Sequence, residues 1–145
     1  MTKCFFCHNS GGQIIFKNEL YRIIIIDEPF YPGYLRIVLN QHLKELTDLS
    51  SANNLALYSA VVQTEKIMRR YLNPDKINIA SFANMTPHVH WHVIPRFYTD
   101  RHFPNPNWGA VTNPDYQPVP QLLLAAAQMV ARFESLFESL FLAEG

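Results

Sequence analysis

Apolar residues alternate with polar ones, or run together, in five short segments that predict β-strands. The first two segments, 13–17 and 20–27, are separated only by Asn18 and Glu19, so they predict a hairpin. The second of them carries four consecutive isoleucines at 23–26, and this β-branched residue favours a strand. The other three segments are 34–39, 76–82 and 88–97.

Two longer segments have helical spacing instead. Residues 51–72 predict a helix with Ser50 or Ser51 as its N-cap and Pro74 as its stop. The apolar positions that define this helix are Leu55, Tyr58, Val61, Val62, Met68 and Leu72. Residues 121–145 predict an amphipathic helix with a strong apolar stripe, which must be covered either by its own domain or by a second subunit.

Between the last strand and the C-terminal helix, residues 99–120 are rich in proline and asparagine and predict an extended segment, a tail or a lid. Phe103 and Trp108 within it could pack on a partner subunit or reach toward a site, but we expect local packing on the body of the protein. The organisation expected is a core domain over 1–98, the extended segment 99–120, and the helix 121–145. The fold class is therefore α+β: an antiparallel sheet of about five strands backed by a main helix, with an additional C-terminal helix.

Composition is consistent with one enzyme-sized domain. The chain has 145 residues, of which 48% are hydrophobic, and this is enough to form a full core. Twelve basic residues balance twelve acidic ones, so no net field would attract long nucleic acid or an anionic membrane. No apolar run approaches the length that spans a bilayer, and the chain begins Met1-Thr2-Lys3-Cys4 without a signal-peptide core. We expect a cytoplasmic protein.

Three of the six histidines, His88, His90 and His92, occur at alternate positions in the last predicted strand. A strand sends alternate side chains to opposite faces, so the three imidazoles should share one face. Imidazole can act as a nucleophile, carry a proton or hold a phosphate near pH 7. A catalytic metal would normally need a nearby carboxylate as well, yet no acid follows before Asp100, which favours phosphate chemistry.

This pattern resembles a known family. The run His88-Val89-His90-Trp91-His92-Val93-Ile94-Pro95 matches the signature of the histidine triad (HIT) family. The likeness covers roughly residues 4–98. The upstream segments that share it are Ile26-Asp27-Glu28-Pro29, Pro32-Gly33-Tyr34, 38–42 and Leu46-Thr47-Asp48.

The resemblance implies a HIT-like fold and a homodimer that binds a purine nucleotide or a nucleotide conjugate. It also implies a hydrolase or nucleotidyl transferase that attacks an α-phosphate through a nucleotidyl-histidine intermediate. Residues 81–87 replace the family's usual glycine-rich approach to the triad, so phosphoramidate, dinucleoside polyphosphate and aminoacyl-adenylate substrates all stay open. The alternative is a non-catalytic nucleotide-binding or scaffold protein that keeps the fold.

The resemblance further implies the roles of the three histidines. His90 would be the nucleophile, with its other ring nitrogen held by a backbone carbonyl. His92 and His88 would flank it and donate hydrogen bonds to phosphate oxygens.

Four other residues are candidates for substrate binding by the same resemblance. Asp27 would accept from ribose hydroxyls, although a turn aspartate before Pro29 is the alternative. Asn78 would contact the phosphate, and Asn84 the phosphate or leaving group unless it is only a turn former. Arg96 could assist a polyphosphate, the alternative being a solvated arginine at a strand end.

A structural metal is the remaining candidate, because Cys4 and Cys7 have the spacing of a zinc pair. In some relatives such a pair combines with two histidines, which here would be His42 and His88. Reduced buried thiols are the alternative, and His8 competes as a ligand. No cofactor is expected to be required for the chemistry itself.

Overall fold

The structure, a computed structural model, describes residues 3–144 and the side chains of residues 3–140. It consists of five strands and three helices, with a short 3-10 turn at Leu46–Asp48. The strands are β1 (Gln13–Lys17), β2 (Tyr21–Ile25), β3 (Leu35–Leu39), β4 (Lys76–Ala80) and β5 (His90–Arg96). The helices are α1 (Phe5–His8), α2 (Ser51–Leu72) and α3 (Pro120–Glu144).

The five strands form one antiparallel sheet in the order β1-β2-β3-β5-β4. This confirms the predicted α+β fold with an antiparallel sheet, a main helix and a C-terminal helix. β5 lies between β3 and β4, and its pairing with β3 sets Arg36 opposite His92. The central position of β5 holds its side chains rigidly, because hydrogen bonds constrain the strand on both edges.

One side of the sheet, here called the helix face, carries Ile23, Ile37 and Val93 and packs on α2 and α3. Three buried side chains of α3 complete this core, so α3 covers its apolar stripe against its own chain. These are Met129, Phe133 and Phe137. Ser50 caps α2, because its hydroxyl accepts a hydrogen bond from the Asn53 N–H at 3.1 Å.

The buried side of α2 agrees with the predicted one at Val61, Met68 and Leu72 and differs at its N-terminal end. Leu55 and Tyr58 are 72% and 57% exposed, whereas Leu57, Ala60 and Thr64 are buried. Both sets of positions have helical spacing, so periodicity alone does not distinguish them. The contacts of α2 with the sheet and with α3 decide which set is buried.

The opposite side of the sheet, the histidine face, is covered at two ends. At one end Phe6 of α1 packs on Ile24 and Val38. At the other end residues 99–110, here called the strap, fold back over the sheet, and Asp100 accepts a hydrogen bond from Arg96 Nε at 2.8 Å. The middle of the face is left open, and this opening contains the candidate site.

The strap lacks helix and strand but is held by hydrogen bonds to β5 and to residues farther along the chain. The guanidinium of Arg96 donates to the Asn105 carbonyl at 2.7 Å, and the Thr112 N–H donates to the Arg101 carbonyl at 2.9 Å. Among residues 3–144, none of the helices has both the length and the apolar character needed to cross a membrane.

Candidate active site

Two neighbouring strands supply the central side chains of the site. His90 and His92 of β5 are both buried on the histidine face, since they alternate with Trp91 and Val93. Arg36 of β3 lies directly beside His92. The site is thus built from the middle of the sheet, where backbone hydrogen bonds fix each side chain.

His90 has a defined tautomer. Its Nδ1 lies 2.7 Å from the His88 carbonyl oxygen, which can only accept, so Nδ1 carries the proton. The Nε2 lone pair is therefore available for attack. Burial lowers the pKa of His90, and the positive charge of Arg36 acts in the same direction. His90 is accordingly neutral and nucleophilic near pH 7.

His92 has the opposite tautomer. Its Nδ1 lies 2.5 Å from the Tyr34 hydroxyl and 3.3 Å from Arg36 Nε, which can only donate. The Nδ1 therefore accepts, and the proton of the neutral ring lies on Nε2. Burial lowers the pKa of His92 to about 4, and the positive charge of Arg36 acts in the same direction. His92 thus remains a neutral hydrogen-bond donor at physiological pH.

We expect Arg36→Gln to raise the pKa of His92, because the substitution removes a positive charge that disfavours the imidazolium. NMR titration of the ring nitrogens should place the wild-type midpoint near pH 4 and the variant midpoint between that value and the ordinary one of about 6.5. The midpoint of His102, which contacts Tyr31, should not move. A wild-type His92 that carries its proton on Nδ1 at pH 7 would contradict the assignment.

A cavity of about 640 Å³ opens above these side chains, a volume within the range of small-molecule sites. Its floor is polar and its rim is largely apolar. The floor includes Arg36, His90 and His92, and the rim includes Phe5, Phe82, Asn84, Met85 and Trp108. The cavity therefore suits a ligand with one anionic part and one apolar part.

His88 does not line this cavity, although the sequence placed its ring beside His90. Pro87 and a hydrogen bond from the His88 N–H to the Thr86 carbonyl place His88 before β5. Its Nε2 lies 2.6 Å from the Leu39 carbonyl oxygen, and its Nδ1 faces Cys4 and Cys7. The backbone carbonyl of His88 accepts the hydrogen bond from His90 Nδ1.

The predicted zinc ligands do come together. His88 Nδ1 lies 3.4 Å from the Cys4 sulfur and 3.2 Å from His42 Nδ1, and the Cys7 sulfur lies 3.3 Å from His42 Nδ1. All four ligand atoms lie within 4.8 Å of one another. Tetrahedral zinc with two sulfur and two nitrogen ligands separates them by about 3.3–3.8 Å. The donor types and their spacing therefore fit zinc.

Of the predicted substrate-binding residues, only Asn84 reaches the cavity above His90 and His92, here called the histidine cavity. The side-chain oxygen of Asn78 accepts a hydrogen bond from Arg96 at 2.7 Å. Asp27 is exposed and lines a separate depression with Gly12 and Leu123. The structure does not bring Asn78 or Asp27 to the histidines.

Arg96 does not line the cavity, and its guanidinium is buried rather than solvated, which rules out the alternative of a solvated arginine at a strand end. The side chain is buried and paired with the Asp100 carboxylate at 2.8 Å. It lies four positions beyond His92, which is about 13 Å along β5. Arg96 anchors the strap to the sheet.

Sequence reasoning did not single out Tyr34 or Arg36 as candidate site residues, and for Trp108 it left open reach toward a site while favouring local packing. Arg36 did leave a signal, since it is the one charged residue of the apolar strand Leu35–Leu39. Its alternation with buried Leu35 and Ile37 places it on the histidine face. No local pattern identifies Trp108, which reaches the cavity only because the strap folds back.

The chain is similar to proteins of one known family. The family model described as HIT domain matches residues 8–99. An asymmetrical bis(5′-nucleosyl)-tetraphosphatase from Schizosaccharomyces pombe is 23% identical over 95 residues, covering 62% of this chain and 52% of the relative. An AP-4-A phosphorylase from Mycobacterium tuberculosis is 22% identical over 98 residues, covering 63% and 50%. The chain spans about half the length of both relatives.

Two solved structures share the fold over nearly the whole chain. A histidine triad protein from Marinobacter aquaeolei has a TM-score of 0.70 and 23% identity, covering 90% of this chain and 91% of that one. A Zn-bound histidine triad family protein from Mycobacterium smegmatis has a TM-score of 0.62 and 20% identity, covering 97% of both chains.

Proposed function

Because the chain belongs to the HIT family, we propose that it is a nucleotide hydrolase or nucleotidyl transferase in which His90 attacks an α-phosphate. The observation that carries this proposal is the hydrogen bond from His90 Nδ1 to the His88 carbonyl at 2.7 Å. It orients the imidazole and leaves Nε2 unprotonated at the floor of the cavity.

The reaction has two steps. In the first, a bond forms between His90 Nε2 and phosphorus while the bond from phosphorus to the leaving group breaks. A polyphosphate leaves as an anion, whereas an amine takes a proton from solvent. In the second step, water attacks the phosphorus, the bond to Nε2 breaks, and a nucleoside monophosphate is released with a proton lost from the water. A different acceptor in place of water makes the same step a nucleotidyl transfer.

Two side chains beside the nucleophile would stabilise the phosphate. The Nε2–H of His92 and the guanidinium of Arg36 both lie at the floor of the cavity and can donate to non-bridging oxygens. Arg36 also carries the positive charge that an anionic substrate requires. Asn84, on the rim, can donate from its amide to the phosphate or the leaving group.

The names of the two relatives support a dinucleoside polyphosphate as one substrate class, and a nucleoside phosphoramidate is the other class we propose. The test is turnover of one phosphoramidate and two dinucleoside polyphosphates without added metal ions. Quenching in alkaline denaturant traps nucleotide on histidine, because the phosphorus–nitrogen bond is stable in base and hydrolyses in acid. Turnover with nucleotide on His90 supports the proposal. Turnover without any covalent nucleotide would contradict the two-step mechanism.

We also propose that Cys4, Cys7, His42 and His88 hold a structural zinc ion, as the Zn-bound relative suggests. Zinc would supply no step of the reaction and would link the N-terminal segment to the start of β5. Because the carbonyl of His88 holds His90, the same residue would connect the metal to the position of the nucleophile. Zinc can be present in the protein as purified, so the absence of added metal does not affect the turnover test.

We expect the purified protein to contain about one zinc per chain and to lose about 10 °C of melting temperature when a strong chelator removes it. Metal analysis and thermal unfolding measure this. Cys7→Ser should bind less zinc and melt lower, whereas His8→Ala, one residue away, should match the wild type. A metal-free protein that is insensitive to chelator would disprove the zinc site.

A further inference from the structure

Arg22 is a buried cation on the histidine face that has no part in the proposed reaction. Its side chain is only 7% exposed, and no carboxylate in the described part of the chain forms an ion pair with it. The guanidinium donates instead to three backbone carbonyls of residues 6–10: Nη2 to Phe6 at 2.8 Å and to Asn9 at 3.1 Å, and Nε to Ser10 at 3.0 Å. A buried charge is costly unless its donors are satisfied, so these bonds account for the position of the side chain.

The segment that Arg22 holds has little stability of its own. Helix α1, which overlaps residues 6–10, has four residues and no side-chain cap at its N-terminus, and a single helical turn is marginal in water. Gly11 follows with a φ of 90°, so the chain turns away directly after the segment. Apart from the burial of Phe6, the three hydrogen bonds from one rigid guanidinium are therefore the main constraint on this backbone.

Two side chains of the same segment have functional neighbours. The Phe6 ring packs on the nucleophile, with its centroid 4.8 Å from that of the His90 ring. The Cys7 sulfur lies 3.3 Å from His42 Nδ1 within the predicted zinc cluster. Because each side chain moves with the backbone that carries it, Arg22 is placed where it controls the position of both Phe6 and Cys7.

The charge of Arg22 also suits the zinc cluster. Burial lowers the pKa of Arg22, and negative charge on the Cys7 and Cys4 sulfurs acts in the opposite direction. The two sulfurs would carry that charge as zinc ligands, because a cysteine binds metal as the thiolate. The guanidinium and the ligating sulfurs would therefore stabilise one another.

We propose that Arg22 is a positioning residue that holds residues 6–10 in place before zinc binds, and so aligns Cys7 with the metal and Phe6 with the nucleophile. This inference rests on the proposed function and on the proposed zinc site. Because the hydrogen bonds of Arg22 end on backbone carbonyls, the segment keeps its conformation with or without the metal. A ligand held in this way loses less conformational entropy when zinc arrives, which raises the zinc affinity.

Zinc affinity, measured by competition with a chromogenic chelator, tests the alignment of Cys7. Arg22→Gln should bind zinc about 10- to 100-fold more weakly than the wild type, the range found when a residue that supports a metal ligand is removed. Arg22→Lys should recover only part of this loss, because an ammonium keeps the charge but cannot reach three carbonyls at once. Wild-type affinity in either variant, or a wild type that binds no zinc, would overturn the proposal.

Lys17→Gln is the matched control for the charge. Lys17 lies directly opposite Arg22 in the pairing of β1 with β2, but it is exposed and, among the described residues, makes no hydrogen bond to residues 6–10. This variant removes the same charge from the neighbouring strand and should bind zinc within about twofold of the wild type, because exposed charges contribute little. An equal loss of affinity in Lys17→Gln and Arg22→Gln would contradict a positioning role.

Exchange of the His90 Nδ1 proton with water, followed by NMR, tests the alignment of Phe6. Phe6 packs over the His90 ring, so a loosened segment would admit water to the hydrogen bond with the His88 carbonyl. Arg22→Gln should therefore speed this exchange by about 10-fold or more, and Lys17→Gln should not. An unchanged exchange rate in Arg22→Gln would show that Arg22 does not position Phe6.

Phe6→Leu separates the two effects of Arg22. It should speed the exchange of the His90 proton, because a smaller side chain covers the ring less completely. It should keep the wild-type zinc affinity, because the backbone carbonyls that accept from Arg22 remain. A loss of zinc affinity as large as that of Arg22→Gln would show that the Phe6 ring, rather than Arg22, holds the segment.

A measurement on the wild type keeps the proposal testable if the Arg22 variants do not fold. The Arg22 Nε–H donates to the Ser10 carbonyl, so its NMR signal should stay visible and exchange slowly after a strong chelator has removed the metal. A signal lost to fast exchange on metal removal would show that zinc holds the segment and would overturn the proposal. None of these measurements needs a substrate, so they are independent of a failure of the proposed function, which would appear as absent turnover.

Discussion

Replacement of His90 by alanine is expected to reduce kcat by roughly four to six orders of magnitude, the range seen when a covalent nucleophile is removed. The Nε2 lone pair of His90 is then lost, and the unprotonated Nδ1 of His92 cannot replace it because it accepts hydrogen bonds from Tyr34 and Arg36. Binding of AMP should change by no more than a few fold, because Arg36 and the Nε2–H of His92 remain to hold the phosphate. Steady-state turnover and calorimetric titration with AMP measure the two effects.

His8→Ala is the matched control for this variant, since His8 is exposed and lies outside the cavity. It should keep the wild-type kcat. If His90→Ala turns over as fast as the wild type, the assignment of the nucleophile is wrong. If the wild type itself turns over no substrate of the panel while both proteins bind AMP, the non-catalytic nucleotide-binding alternative is supported instead.

Asp100→Asn is expected to lower the free energy of unfolding by about 3–5 kcal/mol, because it leaves the buried Arg96 guanidinium without a counter-charge. The Asp100 carboxylate accepts from Arg96 Nε at 2.8 Å and Nη2 at 3.1 Å. It also accepts from the backbone N–H groups of Phe97, His102 and Phe103. Urea unfolding followed by circular dichroism measures the difference.

The pKa of Asp100 gives the pH range of this effect. Burial raises the pKa, but hydrogen bonds from Arg96 and the backbone outweigh burial and hold it below the ordinary value. A lowered pKa in the folded state means that the stabilisation is complete above the unfolded pKa of about 3.9 and is lost as the pH falls through the folded value. The destabilisation by Asp100→Asn should therefore be fully visible at pH 7.

Asp115→Asn provides the control, because Asp115 is exposed. This variant should change the free energy of unfolding by less than about 0.5 kcal/mol. The double variant Arg96→Met/Asp100→Asn should be less destabilised than the sum of its single changes, since the uncompensated charge is gone. Additive effects would show that the ion pair does not couple the strap to β5.

Local sequence pattern was sufficient to predict features that depend on residues within a single strand or helix. Alternation placed His90 and His92 on one face of a strand, because side chains of a strand repeat every two residues. Ser50 and Pro74 bracket a helix that runs over Ser51–Leu72, because capping and the missing proline N–H act on neighbouring residues alone. Local pattern identified Cys4 and Cys7 as a zinc pair. Their grouping with His42 and His88 came only from the family resemblance.

Contacts between segments far apart in the chain decided which side chains are buried and which residues meet in the site. The sequence by itself determined the strands, the two long helices and the identity of the histidine face, since these follow from periodicity and local chemistry. Only the tertiary structure decided that Arg96 pairs with Asp100, that Leu55 and Tyr58 are exposed, and that His92 lies beside Arg36. The physical reason is that strand register, strap position and helix rotation depend on packing among residues far apart in the chain, which no local spacing encodes.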